Sequence, residues 1–165
     1  MVRMKNSFYF KTPNLQHRNS LLTLALFIII PLAAFWQVFS LPLIQDDWDY
    51  FGFSQNRHLF SFCLRLFDFR NRLMYRPLGT LYLTFMFKLF AQQTWIFHAL
   101  ALSIHITTSL LIYRIITKLI KDTNVALSAG LLYSSAVAII LDPLCWLVGI
   151  ADLGSALFFL LSIYA

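Results

Sequence analysis

The chain has 165 residues, of which 59% are apolar, 17% aromatic and only 12% charged, where a water-soluble domain carries about a quarter charged residues. Together with a mean hydropathy of +0.71, this excludes a cytosolic enzyme, a nucleic-acid binder and a disordered tail, and predicts an all-α protein with several membrane-spanning helices. The net charge of +6 comes from 13 Lys and Arg against seven acids, all of them Asp, so where the charges sit matters more than their sum.

In chain order, residues 1–20 are a basic N-terminus with Arg3, Lys5, Lys11 and Arg18 and no acid. Residues 21–44 then run without a charge, which at about 1.5 Å per residue is enough helix to cross a bilayer. A cleaved signal peptide is the rival, but the run is long for one and no A-x-A site closes it, which favours an uncleaved span. Pro31 falls inside it, as lipid-buried helices tolerate.

Residues 45–94 form a loop with two short apolar helices. In 59–72, Ser61, Arg65, Asp68 and Arg72 make a polar stripe on a helix otherwise rich in Leu and Phe, and 78–91 repeats the design with Thr80, Thr84 and Lys88. Each is about 21 Å long, too short to cross unaided, and is read as lying in the membrane surface. Residues 95–120 are a second span, closed by Arg114, Lys118, Lys121 and Asp122. Residues 125–141, rich in Ala, Ser and Gly, are a third. A fourth begins at Asp152 and is still apolar at Ala165, so the chain is expected to be the front piece of a longer membrane protein.

Lys and Arg set the orientation, because short loops rich in them stay cytoplasmic. With both short helices lying flat, the turn at 118–121 shares the cytoplasmic side with the basic N-terminus. Trp36, Trp48, Trp95 and Trp146 then belong to the outer interface, and the 46–75 and 141–151 loops share the outer face.

Chemistry is expected in those loops. Asp46, Asp47 and Asp49 place three carboxylates in four residues, where one could carry a raised pKa and act as general base, or the group could hold a divalent metal ion. Arg70, Arg72 and Arg76 follow, and five Arg on an outer face oppose the usual bias; guanidinium grips phosphate with a planar fork. Simple Asp–Arg pairing accounts for the same residues. Asp152 is an acid at a membrane boundary, a functional candidate or a helix cap. His98 and His105, seven apart on one helix face and about 10.5 Å from each other, cannot share a metal ion and are expected to hydrogen-bond neighbouring helices. His58 is an uncommitted ligand, and Cys63 and Cys145 are read as packing residues.

The order of these features resembles a family: Asp46-Asp47 after the first span, Tyr75-Arg76-Pro77-Leu78, Trp95-x-x-His98-x6-His105, and Gly149-Ile-Ala-Asp152 opening an apolar helix. It is similar to the amino-terminal part of the GT-C superfamily of polyprenyl-phosphate-sugar-dependent glycosyltransferases, with the protein O-mannosyltransferases and the lipid A aminoarabinose transferases as the nearest likenesses. The sequence differs from their pattern at Ala101, Asp142 and Ile150. The resemblance implies transfer of a sugar from a polyprenyl-phosphate donor to a protein, lipid or polysaccharide acceptor at the outer or lumenal face of a bacterial inner membrane or the endoplasmic reticulum. Asp46 and Asp47 would be catalytic, and Arg72, Tyr75, Arg76 and Asp152 would bind substrate. The alternative is a non-enzymatic membrane subunit or a transporter fragment.

Overall fold

The structure, a computed structural model, describes residues 15–44, 46–55, 77–90 and 93–165, apart from the side chains of 15–19, 53 and 137–140. The expected helix at 59–72, together with His58, Cys63, Arg70, Arg72, Tyr75 and Arg76, lies outside the described residues.

Among the described residues the chain is helical, without strands. α1 (Leu15–Phe35) continues into a 3-10 turn (Trp36–Ser40), and α2 (Asp47–Ser54), α3 (Pro77–Phe90), α4 (Thr94–Ile120), α5 (Thr123–Ser134) and α6 (Val137–Cys145) follow; a second 3-10 turn (Leu147–Gly149) leads into α7 (Ile150–Tyr164). Three segments are long and apolar enough to cross a membrane: Ser20–Ser40, Thr94–Ile120 and Leu147–Tyr164. Their surfaces suit hydrocarbon, since Ile29, Leu119 and Phe158 are 61%, 75% and 72% exposed while His98, His105 and Ser109 are buried.

α4 is the central helix. α1 runs antiparallel to it, since Phe27 meets Tyr113 with ring centroids 5.7 Å apart and Phe35 meets His105 edge-on at 5.8 Å. α5 is also antiparallel, with Gly130 against the Ser109 carbonyl and Ser134 against His105. α7 is parallel to α4: Leu144, just before it, contacts His98, and at the far end the Lys118 ammonium donates to the Tyr164 carbonyl at 3.3 Å. The basic turn at 118–122 therefore lies at one end of the bundle, and residues 38–55 and 144–149 lie at the other. Hydroxyls inside α4 stay satisfied without water, because Ser103, Thr107, Thr108, Ser109 and Thr117 each donate to the carbonyl four residues back.

Several expectations need revision. The first helical run ends at Ser40 and not at Ile44: Leu41 precedes Pro42, whose ring disfavours helical geometry in the residue before it, and Leu41 is extended (φ −73°, ψ 138°). The segment expected as one helix over 125–141 is two, broken at Ser135 and Ala136. The Ser134 and Ser135 hydroxyls both donate back to the Leu131 carbonyl, and the Ser134 carbonyl is taken by His105, so the helical ladder loses its continuation there. The last helix starts at Ile150, with the 147–149 turn continuous before it, and not at Asp152. α3 matches the second short helix, but its polar stripe is divided: Thr80 and Thr84 are buried with Leu83 and Phe87, while Leu78, Phe85 and Leu89 are exposed.

Candidate functional site

Asp47, Ile44, His98, Leu144, Leu147 and Val148 converge at the end of the bundle opposite the basic turn. Asp47 opens α2 and is 0% exposed. One carboxylate oxygen, Oδ2, accepts the Ile44 N–H at 3.1 Å, and the other, Oδ1, is buried without a hydrogen-bond partner. The backbone N–H groups of Leu147 and Val148 act on the same carboxylate. These are donors that the start of an α-helical segment leaves without intrahelical acceptors, so Asp47 meets from a distant segment a need that a local cap meets elsewhere. Asp122 is the local version, its Oδ1 accepting the Asn124 and Val125 N–H groups at the start of α5.

Burial raises the Asp47 pKa, opposed by the N–H groups of Ile44, Leu147 and Val148 and by the His98 ring. A raised carboxylate in this loop was expected from three acids repelling one another. The cause is instead loss of water, and the acids diverge: Asp47 points into the core, Asp46 is half-buried and Asp49 is exposed. The three-carboxylate cation site therefore does not form, and among the described residues no group of three His, Cys, Asp or Glu could hold a metal ion.

His98 is 0% exposed, and its Nδ1 donates to the Leu144 carbonyl at 2.8 Å. Its Nε2 is buried without a hydrogen bond of standard geometry; the Leu41 carbonyl also faces the ring as an acceptor, and the Asp47 carboxylate acts on it through its charge. His105, two turns along, donates through Nε2 to the Ser134 carbonyl at 3.0 Å. Both histidines thus cap carbonyls at the ends of α6 and α5, the interhelical role their spacing suggested. Their pitch matches the two helix ends that the broken 123–145 segment leaves open.

Gly149 is fixed by space, not by backbone conformation. A Cβ there would lie 2.5 Å from Pro143 Cα and 2.9 Å from its carbonyl oxygen, so the turn closes onto the backbone of α6. Asp152 is exposed in the first turn of α7, where a carboxylate favours the positive helix end. It is not the cap, because Gly149 holds that position. Cys145 is half-buried against the core, and burial with the Asp142 carboxylate pushes its thiol up, which fits a packing role.

Of the sequence-predicted site residues, the structure brings Asp47 to the turn preceding Asp152 and sets Asp46 beside it. Arg72, Tyr75 and Arg76 lie outside the described residues. Sequence reasoning missed that Asp47 turns inward at the end of the bundle where His98 is buried. The available signal was that ionisable residues inside apolar surroundings need a partner. Comparison with known proteins finds no matching family model, no matching curated protein and no matching solved structure.

Proposed function

We propose that the chain is the amino-terminal membrane portion of a polyprenyl-phosphate-sugar-dependent glycosyltransferase. Its N-terminus and the 118–122 turn lie on the cytoplasmic side, α3 lies in the outer or lumenal membrane surface, and the membrane is a bacterial inner membrane or the endoplasmic reticulum. The observation that carries the reading is the contact of the Asp47 carboxylate with the 147–148 backbone. Residues 46–47 and the Gly149–Asp152 segment share one end of the bundle, which supports the reading.

Within this reading Asp46 is the general base, because Asp47 is committed to buried contacts. The acceptor hydroxyl oxygen attacks the anomeric carbon and gives its proton to Asp46. The bond from that carbon to the phosphate oxygen breaks, and the polyprenyl phosphate leaves with the electron pair, held by Arg76 with Arg72 and Tyr75 beside it. Asp152 orients the acceptor.

Lipid mass spectrometry on the chain purified from its native membrane tests this. Polyprenyl-phosphate sugar should co-purify, fall at least about tenfold in Arg76→Ala as a charge-assisted phosphate contact is lost, and persist in Asp46→Asn. Equal lipid in wild type and Arg76→Ala, or none in either, rejects the reading. Stable co-purification of another membrane protein without such lipid favours a non-enzymatic subunit.

A further inference from the structure

The basic end of the bundle carries cations that the packing leaves facing outward. Arg114, Lys118 and Lys121 follow one another at spacings of four and three on α4, so they share one helix face, and all three are exposed. Arg114 lies six residues before the end of α4 at Ile120, roughly 9 Å inside a segment long and apolar enough to cross a membrane. Among the described residues its guanidinium has no hydrogen bond, ion pair or ring contact. An arginine at that depth and without a protein partner calls for an anion within its reach. Lys118, one turn nearer the helix end, is held in place where α7 meets α4: its ammonium sits 4.0 Å above the Tyr164 ring and donates to the Tyr164 carbonyl at 3.3 Å. One of its three N–H donors is thereby used, and two are left.

We propose that Arg114 and Lys118 form the seat of an anionic phospholipid, its phosphate held between guanidinium and ammonium and its acyl chains against the exposed apolar side chains of α7, among them Phe158, Phe159 and Leu161. Side chains four apart on a helix start about 5–6 Å from each other, a gap that the oxygens of one phosphate bridge. The planar guanidinium takes two of those oxygens, and the ammonium takes a third as a point charge. Of the described acids only Asp122 lies at this end, and its Oδ1 is occupied by the Asn124 and Val125 N–H groups. The C-termini of α4 and α7 both point here with partial negative charge, so the attraction comes from the side chains and not from the helix ends. The occupant is a lipid and not a free phosphate ion, because Leu119, Ile120 and Ile163 beside the cations are 75%, 56% and 53% exposed and need hydrocarbon cover. The seat requires that these helices lie in a membrane; it does not rest on sugar transfer.

The test reconstitutes the whole chain in an equimolar mixture of phosphatidylglycerol and phosphatidylcholine, extracts it into an uncharged detergent, and reads the retained lipid by native mass spectrometry. Wild type should retain phosphatidylglycerol over phosphatidylcholine by about tenfold or more, as two cations acting on one phosphate imply. Arg114→Gln and Lys118→Gln should each cut that preference about fivefold, and the double variant should abolish it. Arg114→Lys keeps the charge without the fork, so its preference should fall between wild type and Arg114→Gln. Lys88→Gln removes an exposed cation from α3 at the opposite end and should leave the preference unchanged. Millimolar inorganic phosphate should not release the bound lipid.

Equal retention of the two lipids by wild type overturns the seat. A loss in Lys88→Gln as large as that in Arg114→Gln overturns it too, because the lipid would then follow net charge and not a place on α4. Release by inorganic phosphate would make a free anion the occupant. A second copy of the chain or another membrane protein, held by wild type without lipid preference and lost in Arg114→Gln, would make this face a protein interface instead. The substituted side chains are exposed, so folding should survive, and Arg114→Lys keeps the test decisive where Arg114→Gln fails to insert. None of these measurements involves sugar transfer, so a failed glycosyltransferase reading leaves them unaffected.

Discussion

His105 and His98 each donate a ring N–H to the carbonyl at the end of a helix, Ser134 of α5 and Leu144 of α6, and each keeps its second ring nitrogen buried without a hydrogen bond of standard geometry. They differ in their surroundings. His105 is enclosed by aromatic rings, Phe35 edge-on and Tyr133 tilted at a centroid distance of 5.1 Å. His98 has a buried carboxyl acting on it. One junction is a passive seal on a broken helix; the other adds an acid that ties a second segment of chain to the same point. A helix break inside apolar surroundings exposes carbonyls that only a donor from a neighbouring helix can satisfy, and this protein meets that need twice from one face of α4.

The largest expected effect separates the two histidines. His105→Leu leaves the Ser134 carbonyl without its donor, a loss of about 1–2 kcal/mol for an interhelical hydrogen bond in lipid. His98→Leu strips the Leu144 carbonyl at a similar cost and also removes the ring whose charge interaction favours the Asp47 carboxylate, so its loss is the larger of the two. Thermal unfolding of the two variants in one detergent should therefore place His98→Leu clearly below His105→Leu. Equal melting temperatures would mean that the acid adds nothing to the junction.

Two glycines sharpen the contrast at a smaller scale. An alanine at 149 meets the backbone of Pro143 at 2.5 Å, and backbone at the end of α6 can retreat only by opening the turn that receives Asp47. An alanine at 130 meets the edge of the Phe27 ring at 2.6 and 2.8 Å and the Ser109 carbonyl oxygen at 3.2 Å, and a ring can turn more easily than a backbone. Overpacking of this kind costs about 1–3 kcal/mol, with Gly149→Ala at the upper end and Gly130→Ala at the lower. Only Gly149→Ala should also speed amide exchange in residues 44–52. Faster exchange there in Gly130→Ala would show that the two ends of the bundle are coupled more tightly than the packing implies.

Much of this was legible in the sequence, for reasons that differ residue by residue. Apolar length announces a helix long enough to cross a membrane whatever it packs against, so residues 95–120 were readable, and 21–44 was readable except at its end, which falls at Ser40. The seven-residue spacing of His98 and His105 fixed a shared face, and exclusion from water fixed their hydrogen-bonding role. The break at Ser135 was not readable, because two serines in an apolar run look the same whether their hydroxyls bend back or face a neighbour; the deciding partner, His105, lies 29 residues away. The inward turn of Thr80 and Thr84 was missed for a related reason. A polar stripe points to water only when the other side meets the protein, and here Leu78, Phe85 and Leu89 are the exposed side. For the candidate site, the three acids stood out together, but their burial did not, because adjacency in sequence carries no information about which carboxyl turns inward.

The smallest effect is the pH dependence that Asp47 adds to the His98 junction. Burial holds the folded-state pKa of Asp47 above the ordinary value of 3.8, so between that value and the raised one the folded chain binds more protons than the unfolded chain. Stability linked to Asp47 is then fully present below 3.8 and is lost as pH rises through the raised value. Only the difference between two protonation states is read, with His98 and the backbone donors opposing part of it, so the change is modest beside removal of either ring. Urea unfolding in detergent from about pH 7 downward should show wild type gaining on Asp47→Asn, whose amide does not titrate. The same comparison made in a His105→Phe background, with and without Asp47→Asn, should give the same slope, because His105 has no part in the Asp47 contacts. A slope that disappeared in His105→Phe would move the titrating group from the Asp47 junction to the other one.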